Sequence, residues 1–425
     1  MYYVAAIIAR IGTFITVCHY FEMIFQGLFR KQKRRIYLDH AAATPVRTEV
    51  LEAMEPYFKD RFGNPSAVHA EGAVAREAIE EARTSLAHTL RVRASDVTWT
   101  GSGTEANNLA IRGLVETLVF EGKTHSDIEI ISTKMEHPSI LRTLEALEAD
   151  GVRVRYADVH TDGRINEQSF RECLSATTAL VTFAYANSEV GVVQDANKLS
   201  RLAKKFAREN ETDIVMHLDA SQAPLWLPCQ LDALGMDMMT LDAGKCGGPK
   251  GVGALVHRKS VRLAPIMYGG EQERGLRSGT ENVAGIVGCA KAIELAQTNW
   301  KPRSERVRRL SVRLTEQLEK EIPSAMLNGS REHRIANNVN ISIPGTDTEY
   351  AVVALDAAGI AASTRSACSG MGAGESSTVL AMTRDPVRAS STIRFTLGEE
   401  TNRKDINATM KALIQHLDMM KRRMP

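Results

Sequence analysis

From Ile36 onward, short β-rich runs of this chain alternate with amphipathic segments long enough to be helices. Such alternation predicts a mostly parallel sheet covered by helices, and therefore an α/β fold. Ligands of such sheets bind at the carboxyl ends of the strands, so we expect the functional residues in the loops that follow them. The predicted strands begin at Asp96, Ile128, Ala179, Ile214 and Gly253, and the predicted helices span residues 73–90, 139–149, 197–209 and 282–296.

A length of 425 residues, 44% of them hydrophobic, allows a large core and usually divides into two or more domains. The charged stretch 298–307 is predicted to lead into a long helix that ends near Glu321, and further strands are predicted near Val339 and Ser391. A closing amphipathic helix is predicted over residues 405–423. The expected division is an N-terminal extension of residues 1–35, a large domain of residues 51–302, and a small α+β domain of residues 36–50 and 303–425.

The charges of the chain nearly balance, with 53 lysines and arginines against 51 aspartates and glutamates. A net charge of +2 gives no electrostatic reason to expect nucleic acid as a partner, so a small substrate is favoured. The cysteines show no C-x-x-C pair and no metal-finger spacing, so no metal site is predicted and reduced thiols in the cytoplasm are expected. The six cysteines are Cys18, Cys173, Cys229, Cys246, Cys289 and Cys368.

The N-terminal segment differs in composition from the rest, because residues 2–29 are mostly apolar and a basic run follows at residues 30–35. One interpretation is a membrane span or membrane-surface helix, although Arg10, His19 and Glu22 interrupt the apolar run. A cleaved targeting peptide fits less well, since a secretory signal carries its charge before the apolar stretch. A helix packed on the body, or an extension irrelevant to activity, remains a further alternative. We expect a cytoplasmic protein whose residues 2–29 are the candidate membrane contact.

Lys245 follows Asp219 by 26 residues, across a predicted strand, loop and strand. A lysine amine can hold an aldehyde as a Schiff base, and a carboxylate at the end of the preceding strand can keep a pyridine nitrogen protonated. Pyridoxal 5'-phosphate (PLP) chemistry requires this pair. The sequence therefore predicts a PLP enzyme in which Lys245 carries the cofactor and Asp219 faces its ring nitrogen.

Three further segments could complete the cofactor site. Ser102, Gly103 and Thr104 lie between a predicted strand and a helix, where backbone N–H groups and the helix dipole could bind a phosphate, although such a loop is also typical of a simple capped turn. Gln222 shares a segment with Asp219 and could contact the phenolic oxygen of the ring, the alternative being an N-cap aspartate followed by a solvated glutamine. His137 opens another helix and could stack on the ring and move protons, the alternative being an ordinary polar end group.

Two residues near the C-terminus are candidates for substrate chemistry. Cys368 lies in a stretch rich in Gly, Ser and Ala, where a thiol would be accessible and Arg365 could favour its thiolate. Cys246, which adjoins Lys245, is interpreted as a bystander because neighbouring side chains point to opposite sides of an extended chain. Arg394 could bind a substrate carboxylate through two hydrogen bonds, or could be a solvated strand arginine.

Ordered blocks over most of the chain from Ile36 resemble the NifS-like cysteine desulfurases of the class V aminotransferase group. This resemblance implies PLP fold type I, with a seven-stranded, mostly parallel sheet in the large domain. It also implies a homodimer in which Thr280 reaches the phosphate of the partner subunit's cofactor, while Asn187 or Ser188 contacts the phenolic oxygen and Asn64 contacts the substrate. The blocks include Tyr37-Leu-Asp-His-Ala-Ala-Ala-Thr-Pro, Phe62-Gly-Asn-Pro-Ser, Gly103-Thr-Glu-Ala-Asn-Asn-Leu-Ala-Ile, Glu136-His-Pro, Asp219-Ala-Ser-Gln, Gly248-Pro-Lys-Gly-Val-Gly-Ala-Leu, Arg277-Ser-Gly-Thr-Glu-Asn, Ser366-Ala-Cys-Ser and Ile393-Arg-Phe-Thr-Leu-Gly.

The activity implied by the resemblance is removal of sulfur from L-cysteine. Lys245 and His137 would move protons, and the Cys368 thiolate would attack the substrate sulfur, so that alanine leaves and a persulfide remains on Cys368. The sulfur would pass to an acceptor or scaffold protein for iron–sulfur cluster assembly or tRNA thiolation. The alternatives are a selenocysteine lyase, which uses the same fold, and a degenerate PLP-fold protein that serves as a binding or regulatory partner.

The chain departs from the family pattern at the expected phosphate site. Family members usually read Ser-x-His-Lys at the cofactor lysine, with the Ser and His touching phosphate, whereas this chain has Asp242 and Gly244. A carboxylate repels a phosphate, so we expect Asp242 to turn away or to pair with a cation. Gly244 is expected to offer its backbone N–H to the phosphate instead. Ser188 replaces the family's usual Asn before Glu-Ile-Gly, with Asn187 one residue earlier.

Overall fold

The structure is a computed structural model that describes residues 34–364 and 374–423, with the backbone alone for residues 421–423. Its centre is a seven-stranded sheet with the strand order β2-β8-β7-β6-β5-β3-β4. Only β8 runs antiparallel to its neighbours. The predicted α/β fold with a mostly parallel seven-stranded sheet is therefore confirmed. The strands are β2 (Val97–Thr100), β3 (Glu129–Ser132), β4 (Arg153–Tyr156), β5 (Thr178–Ala184), β6 (Val215–Asp219), β7 (Met238–Asp242) and β8 (Gly253–His257).

Helices cover both faces of this sheet because its strands are apolar on both sides. In β3, Ile130 and the adjacent Ile131 are both buried but belong to two different cores, one on each face. One core includes α4 and α5, and the other includes α3, α7 and α9. These helices are α3 (Ala70–Leu90), α4 (Gly103–Phe120), α5 (Pro138–Ala149), α7 (Ala196–Glu209) and α9 (Val283–Thr298), with the shorter α1 (Thr48–Met54), α2 (Pro56–Lys59), α6 (Glu167–Cys173) and α8 (Leu231–Leu234).

The C-terminal elements form a second, smaller sheet region. Its three-stranded sheet has the order β12-β10-β9, and β10 pairs antiparallel with both neighbours. A separate short pair joins β1, near the start of the described chain, to β11. The predicted division into a 51–302 domain and a 36–50 plus 303–425 domain stays a prediction. The elements are β1 (Ile36–Tyr37), β9 (Met326–Leu327), β10 (Asn338–Ser342), β11 (Ile360–Ala361), β12 (Thr392–Thr396), α10 (Trp300–Glu321), α11 (Thr348–Ala357), α12 (Ser377–Thr383), α13 (Pro386–Ser390) and α14 (Arg403–Arg423).

The charged stretch 298–307 was expected to precede the long helix, and this prediction is wrong. Instead of a link that precedes the long helix, α10 already begins at Trp300 and contains this stretch almost entirely. Pro302 is tolerated there because it lies in the first helical turn, where backbone N–H groups have no intrahelical acceptor. The long helix therefore starts directly after α9.

Among residues 34–364 and 374–423, no helix combines the length and the apolar character needed to cross a membrane. The hypothesis of membrane contact concerns residues 2–29, which lie outside the described residues.

Candidate active site

A cleft opens where the carboxyl ends of β5, β6 and β7 meet the loop after β1 and strand β12. This is the edge at which ligands of parallel sheets bind. The cleft therefore combines residues from the main sheet and from the C-terminal sheet region. Its lining residues are Ala41, Ala42, Gly103, Thr104, Asn107, His137, Ser139, Ala184, Ala186, Asn187, Ser188, Asp219, Ser221, Gln222, Asp242, Lys245 and Arg394.

Lys245 enters the cleft from a short 3-10 turn, Ala243–Lys245, that directly follows β7. Its Nζ donates a hydrogen bond to Ala42 O at 2.5 Å. Thr44 fastens the same two loops, because its hydroxyl donates to Gly244 O at 3.0 Å and accepts from Gly247 N at 2.8 Å. The amine is thus held at the junction of the β1 loop and the β7 loop.

Asp219 is the last residue of β6 and places a carboxylate, 7% exposed, in the same cleft. One oxygen accepts from Asn107 Nδ2 at 2.9 Å. The other accepts from the backbone N and the hydroxyl of Ser221, at 2.9 and 2.6 Å. Hydrogen bonds from α4 and from its own loop therefore fix the orientation of this carboxylate. Gln222 lies beside it, with Nε2 donating to Ala41 O at 3.0 Å.

His137 is the N-cap residue of α5, so its ring lies at the N-terminal end of this helix. Ser139 N donates to His137 Nδ1 at 3.1 Å, and the Ser139 hydroxyl lies 2.8 Å from the same nitrogen. Because Nδ1 accepts a backbone hydrogen bond, the hydrogen-bond network assigns the proton of the neutral ring to Nε2. Asn107 Nδ2 also donates to the Ser139 hydroxyl at 2.9 Å, so one asparagine links the His137 and Asp219 networks.

Glu136 is a buried carboxyl group next to this network. Its oxygens accept from the Thr133 hydroxyl at 2.6 Å and from Ala184 N at 2.7 Å. Burial raises the pKa of Glu136 to about 7, and the nearby Asp219 adds to the rise, whereas those two hydrogen bonds and His137 oppose it. The group therefore titrates near neutral pH.

Arg394 is 1% exposed and reaches the cleft from β12. Its Nη2 donates to Asp39 Oδ1 at 2.8 Å, and its Nη1 donates to Ser188 O at 3.0 Å. The buried Nε has no hydrogen-bond partner among the described residues. A buried guanidinium with an N–H to spare is suited to an anionic ligand such as a carboxylate.

The expected phosphate end of the cleft lies at the N-terminus of α4. Ser102 does not line the cleft; its hydroxyl accepts from Glu105 N at 3.1 Å and so caps the helix. Gly103 and Thr104 do line it. The expectation that Asp242 turns away or pairs with a cation is wrong. Its carboxylate points at the helix and accepts from Gly103 N at 3.3 Å.

Gly244 is also used differently from the expectation. Its N–H donates to Asp242 Oδ1 at 2.9 Å, so this N–H is taken by Asp242 and is not directed to a phosphate. Asp242 and Gly244 replace the Ser and His that are usual in the family. As a result, Asp242 hydrogen-bonds both to the start of α4 and to the turn that carries Lys245.

Most of the other predicted site residues lie in one place. The structure brings together in the cleft Gly103, Thr104, His137, Asn187, Ser188, Asp219, Gln222, Lys245 and Arg394. The Asn187 side chain joins two loops, because it donates to Met135 O at 2.8 Å in the loop before α5 and accepts from Glu189 N and Val190 N of its own loop, both at 2.9 Å. Asn64 and Thr280 are exposed and do not line the cleft of their own chain. Cys368 and Arg365 lie outside the described residues.

The described cysteines are buried thiols. Burial raises the pKa of Cys246, the neighbour of Lys245, to about 12, and the nearby Asp242 adds to this rise. Burial also raises the pKa of the thiols of Cys173, Cys229 and Cys289. A thiol with a raised pKa is a poor nucleophile at neutral pH, which agrees with the interpretation of Cys246 as a bystander.

Sequence reasoning missed three residues of the site, namely Asn107, Ser139 and Asp39. Each lies close to another predicted site residue or family block, since Asn107 follows the expected phosphate loop, Ser139 follows His137, and Asp39 opens the loop after β1. A spacing of four residues places Asn107 about one helical turn after Gly103 on the same face of the helix. The sequence therefore contained a signal that Asn107 belongs to the site.

The polar groups of the cleft fit two parts of PLP, the aldehyde and the ring. Lys245 supplies an amine, and Asp219 supplies a buried carboxylate in the same cleft for a protonated pyridine nitrogen. Gly103 and Thr104, at the start of α4, stand where a phosphate would meet backbone N–H groups. The residue at odds with a phosphate is Asp242.

The chain is similar to known proteins over most of its length. Residues 36–409 match the family model described as "Aminotransferase class-V". A protein of Dictyoglomus turgidum named "Cysteine desulfurase IscS" is 39% identical over 390 residues, which covers 92% of this chain and 96% of that protein.

Solved structures agree with this relationship. A structure named "NIFS-LIKE PROTEIN" matches with a TM-score of 0.83 and 31% identity, covering 91% of this chain and all of that one. A structure described as "SspA in complex with cysteine" matches with a TM-score of 0.72 and 32% identity, covering 85% of this chain and 98% of that one. The chain belongs to the class V aminotransferase family, within its group of NifS-like cysteine desulfurases.

Proposed function

We propose that this protein is a PLP-dependent cysteine desulfurase, which converts L-cysteine to L-alanine and keeps the sulfur as a persulfide on Cys368. The observation that carries the proposal is the meeting of Lys245, Asp219 and Arg394 in one cleft. These three side chains come from different elements and supply an amine, a carboxylate for a ring nitrogen, and a cation for a substrate carboxylate. An amine, a carboxylate and a cation in one cleft are typical of PLP enzymes that act on amino acids, and the similarity to cysteine desulfurases supports desulfuration among their reactions.

Bound PLP would supply an electron sink that stabilises negative charge on the substrate carbons. The Lys245 amine would hold the cofactor covalently and then act as a base when the substrate amine replaces it. The hydrogen bond from Lys245 Nζ to Ala42 O restrains the amine within the cleft before this exchange. Asp219, held by Asn107 and Ser221, would keep the ring nitrogen protonated.

Arg394 would bind the carboxylate of L-cysteine. Its side chain is already fixed by Asp39 and Ser188 O, so little rotamer entropy is lost when a substrate arrives. The buried Nε without a described partner supplies an N–H for this contact. A relative described as a complex with cysteine supports the choice of substrate.

His137 would move a proton at Nε2. Ser139 N occupies Nδ1 as a donor, so proton exchange through Nδ1 would break that hydrogen bond. Asn107 and Ser139 hold the ring relative to Asp219. This arrangement keeps the proton-carrying nitrogen and the ring carboxylate in a fixed relation.

Cys368 would be the nucleophile that receives the sulfur. Its thiolate attacks the substrate sulfur, an S–S bond forms while the C–S bond breaks, and the carbon fragment takes up a proton and leaves as alanine. The described chain that precedes Cys368 lies close to the cleft, because Ser363 and Arg394 exchange backbone hydrogen bonds of 3.1 and 2.6 Å. Cys368 follows Thr364 by only four residues, a reach of at most about 14 Å.

The partners that follow from this reaction are an acceptor or scaffold protein for the persulfide sulfur and a second copy of the chain. The acceptor would serve iron–sulfur cluster assembly or tRNA thiolation. In the proposed homodimer, Thr280 would contact the phosphate of the partner subunit's cofactor, and its exposure in the single chain is compatible with this role. The exposed Asn64 remains a proposed substrate contact.

The test is an absorbance spectrum of the purified protein with PLP, before and after L-cysteine is added. We expect a visible band that depends on Lys245, changes with cysteine, and accompanies the release of alanine and sulfide in equal amounts under reducing conditions. Lys245→Ala should abolish the band. Lys250→Ala is the matched control, since Lys250 lies in the same loop but donates to Thr44 O, and should keep the band. A cysteine-dependent band without alanine would contradict the proposal.

A further inference from the structure

Asp242 places a carboxylate at the end of the cleft where the proposed cofactor would put its phosphate. It is the last residue of β7, and its two oxygens accept from Gly103 N at 3.3 Å and from Gly244 N at 2.9 Å. Gly103 N opens α4, where unsatisfied N–H groups and the helix dipole attract an anion. The Asp242 carboxylate is therefore an anionic group of the protein itself at the N-terminus of α4.

No lysine or arginine of the described chain forms an ion pair with Asp242. Three basic side chains of this region have other partners. Lys245 donates to Ala42 O, Lys250 donates to Thr44 O, and Arg277 donates to Glu105. The charge of Asp242 is therefore balanced by the same backbone N–H groups that a phosphate would use. A phosphate that enters must share or displace them.

The space above Gly103 is also partly filled. A Cβ placed on Gly103 would lie 3.0 Å from Ser221 Oγ, 3.1 Å from Asp242 Cβ and 3.2 Å from Asp242 Oδ2. The carboxylate thus lies directly over the first turn of α4. A phosphate dianion bound to this turn would be in close contact with a like charge, which disfavours its binding.

We propose that Asp242 sets the selectivity of this site for the 5' group of the cofactor, by repelling the phosphate dianion and so weakening PLP relative to unphosphorylated pyridoxal. This inference rests on the proposed function, because it requires that Lys245 binds the aldehyde. Asp242 acts on the phosphate through its charge and leaves the ring contacts of Asp219 and Gln222 unchanged. The cofactor of this protein is accordingly held mainly through Lys245 and the ring contacts, and it exchanges readily.

The experiment measures dissociation constants of PLP and of pyridoxal by titrating the visible band that depends on Lys245, with ultrafiltration as a second readout. The variants are Asp242→Asn, which keeps the shape and removes the charge, and Asp242→Ser, which is smaller and carries a hydroxyl. We expect both to bind PLP about tenfold more tightly or better, since a like charge at contact distance is removed. Pyridoxal should change by less than about threefold in the same variants.

Asp232→Asn serves as the control, because it removes one carboxylate from α8 without altering the cleft. It should leave both dissociation constants unchanged. If PLP and pyridoxal tighten equally in the Asp242 variants, or if PLP binds more weakly, Asp242 merely positions the Lys245 turn and the proposal is overturned while the proposed function stands. If neither aldehyde gives a Lys245-dependent band in any variant, the proposed function itself fails, and the inference with it.

Discussion

Arg394 and Asp39 form an ion pair across 2.8 Å, although 355 positions separate them in the chain. The pair joins β12 to the loop that follows β1, and Arg394 is nearly inaccessible to solvent. The strand β12 and the loop after β1 both border the cleft, so this contact fixes the guanidinium relative to Lys245. Arg394 is therefore held in place before any substrate binds.

Arg394→Lys is expected to weaken binding of L-cysteine. A lysine ammonium cannot contact Asp39, Ser188 O and a carboxylate in the fork geometry of a guanidinium. We expect KM for L-cysteine to rise about tenfold or more, with a smaller fall in kcat, in steady-state alanine production. Arg309→Lys, on the exposed side of α10, is the control and should leave KM unchanged. An unaltered KM in Arg394→Lys would remove Arg394 from the substrate site.

Cys368→Ser should separate cofactor binding from sulfur transfer. The visible band should survive, because Lys245 and Asp219 are untouched, whereas alanine and sulfide production should fall by about a hundredfold or more, since the covalent acceptor of sulfur is lost. Cys173→Ser is a suitable comparison, because Cys173 is a buried thiol of α6. Equal losses in the two variants would indicate a general effect on folding and would contradict the assignment of Cys368.

Asn107→Asp is expected to disturb the ring end of the site. The change replaces a donor to Asp219 Oδ2 with a second carboxylate, and two carboxylates at this distance do not both ionise readily. We expect PLP to bind about tenfold more weakly by absorbance titration. The neighbouring Asn108 offers a matched control, because its side chain donates to Thr104 O and accepts from the Thr143 hydroxyl instead. Asn108→Asp should change PLP affinity little.

Glu136 should make the stability of the protein depend on pH near neutrality. The pKa of Glu136 is raised from 4.5 to about 7 by burial, so the native state holds a proton that the unfolded chain has already lost. Its contribution to stability is complete below pH 4.5 and is lost as the pH rises through about 7.

Glu136→Gln removes this titration and keeps the shape of the side chain. Between pH 5 and pH 8, we expect the free energy of unfolding of the wild type to fall by up to about 3 kcal/mol more than that of Glu136→Gln. Denaturant unfolding measures both values. Thermal unfolding across the same pH range, in the absence of cofactor, gives an independent readout. Parallel stability curves for the two proteins would show that Glu136 is ionised throughout.

The sequence by itself determined the class of fold and the main chemical groups. Periodic apolar runs predicted the strands that became β2, β3, β5, β6 and β8, because alternation and helical spacing are local properties of the chain. The identities of Lys245 and Asp219 followed from the functional groups that the chemistry needs, and their positions after strands predicted a common edge of the sheet.

Only the tertiary structure decided how these groups are held. Asn107 lies 112 positions from Asp219, and Asp242 lies 139 positions from Gly103, so no local pattern predicts either hydrogen bond. Such contacts depend on strand order and on the packing of α4 against the sheet. The expectation that Asp242 avoids the phosphate end failed for this reason: the end of β7 and the start of α4 are neighbours in space, and the unsatisfied N–H of Gly103 attracts the nearest carboxylate.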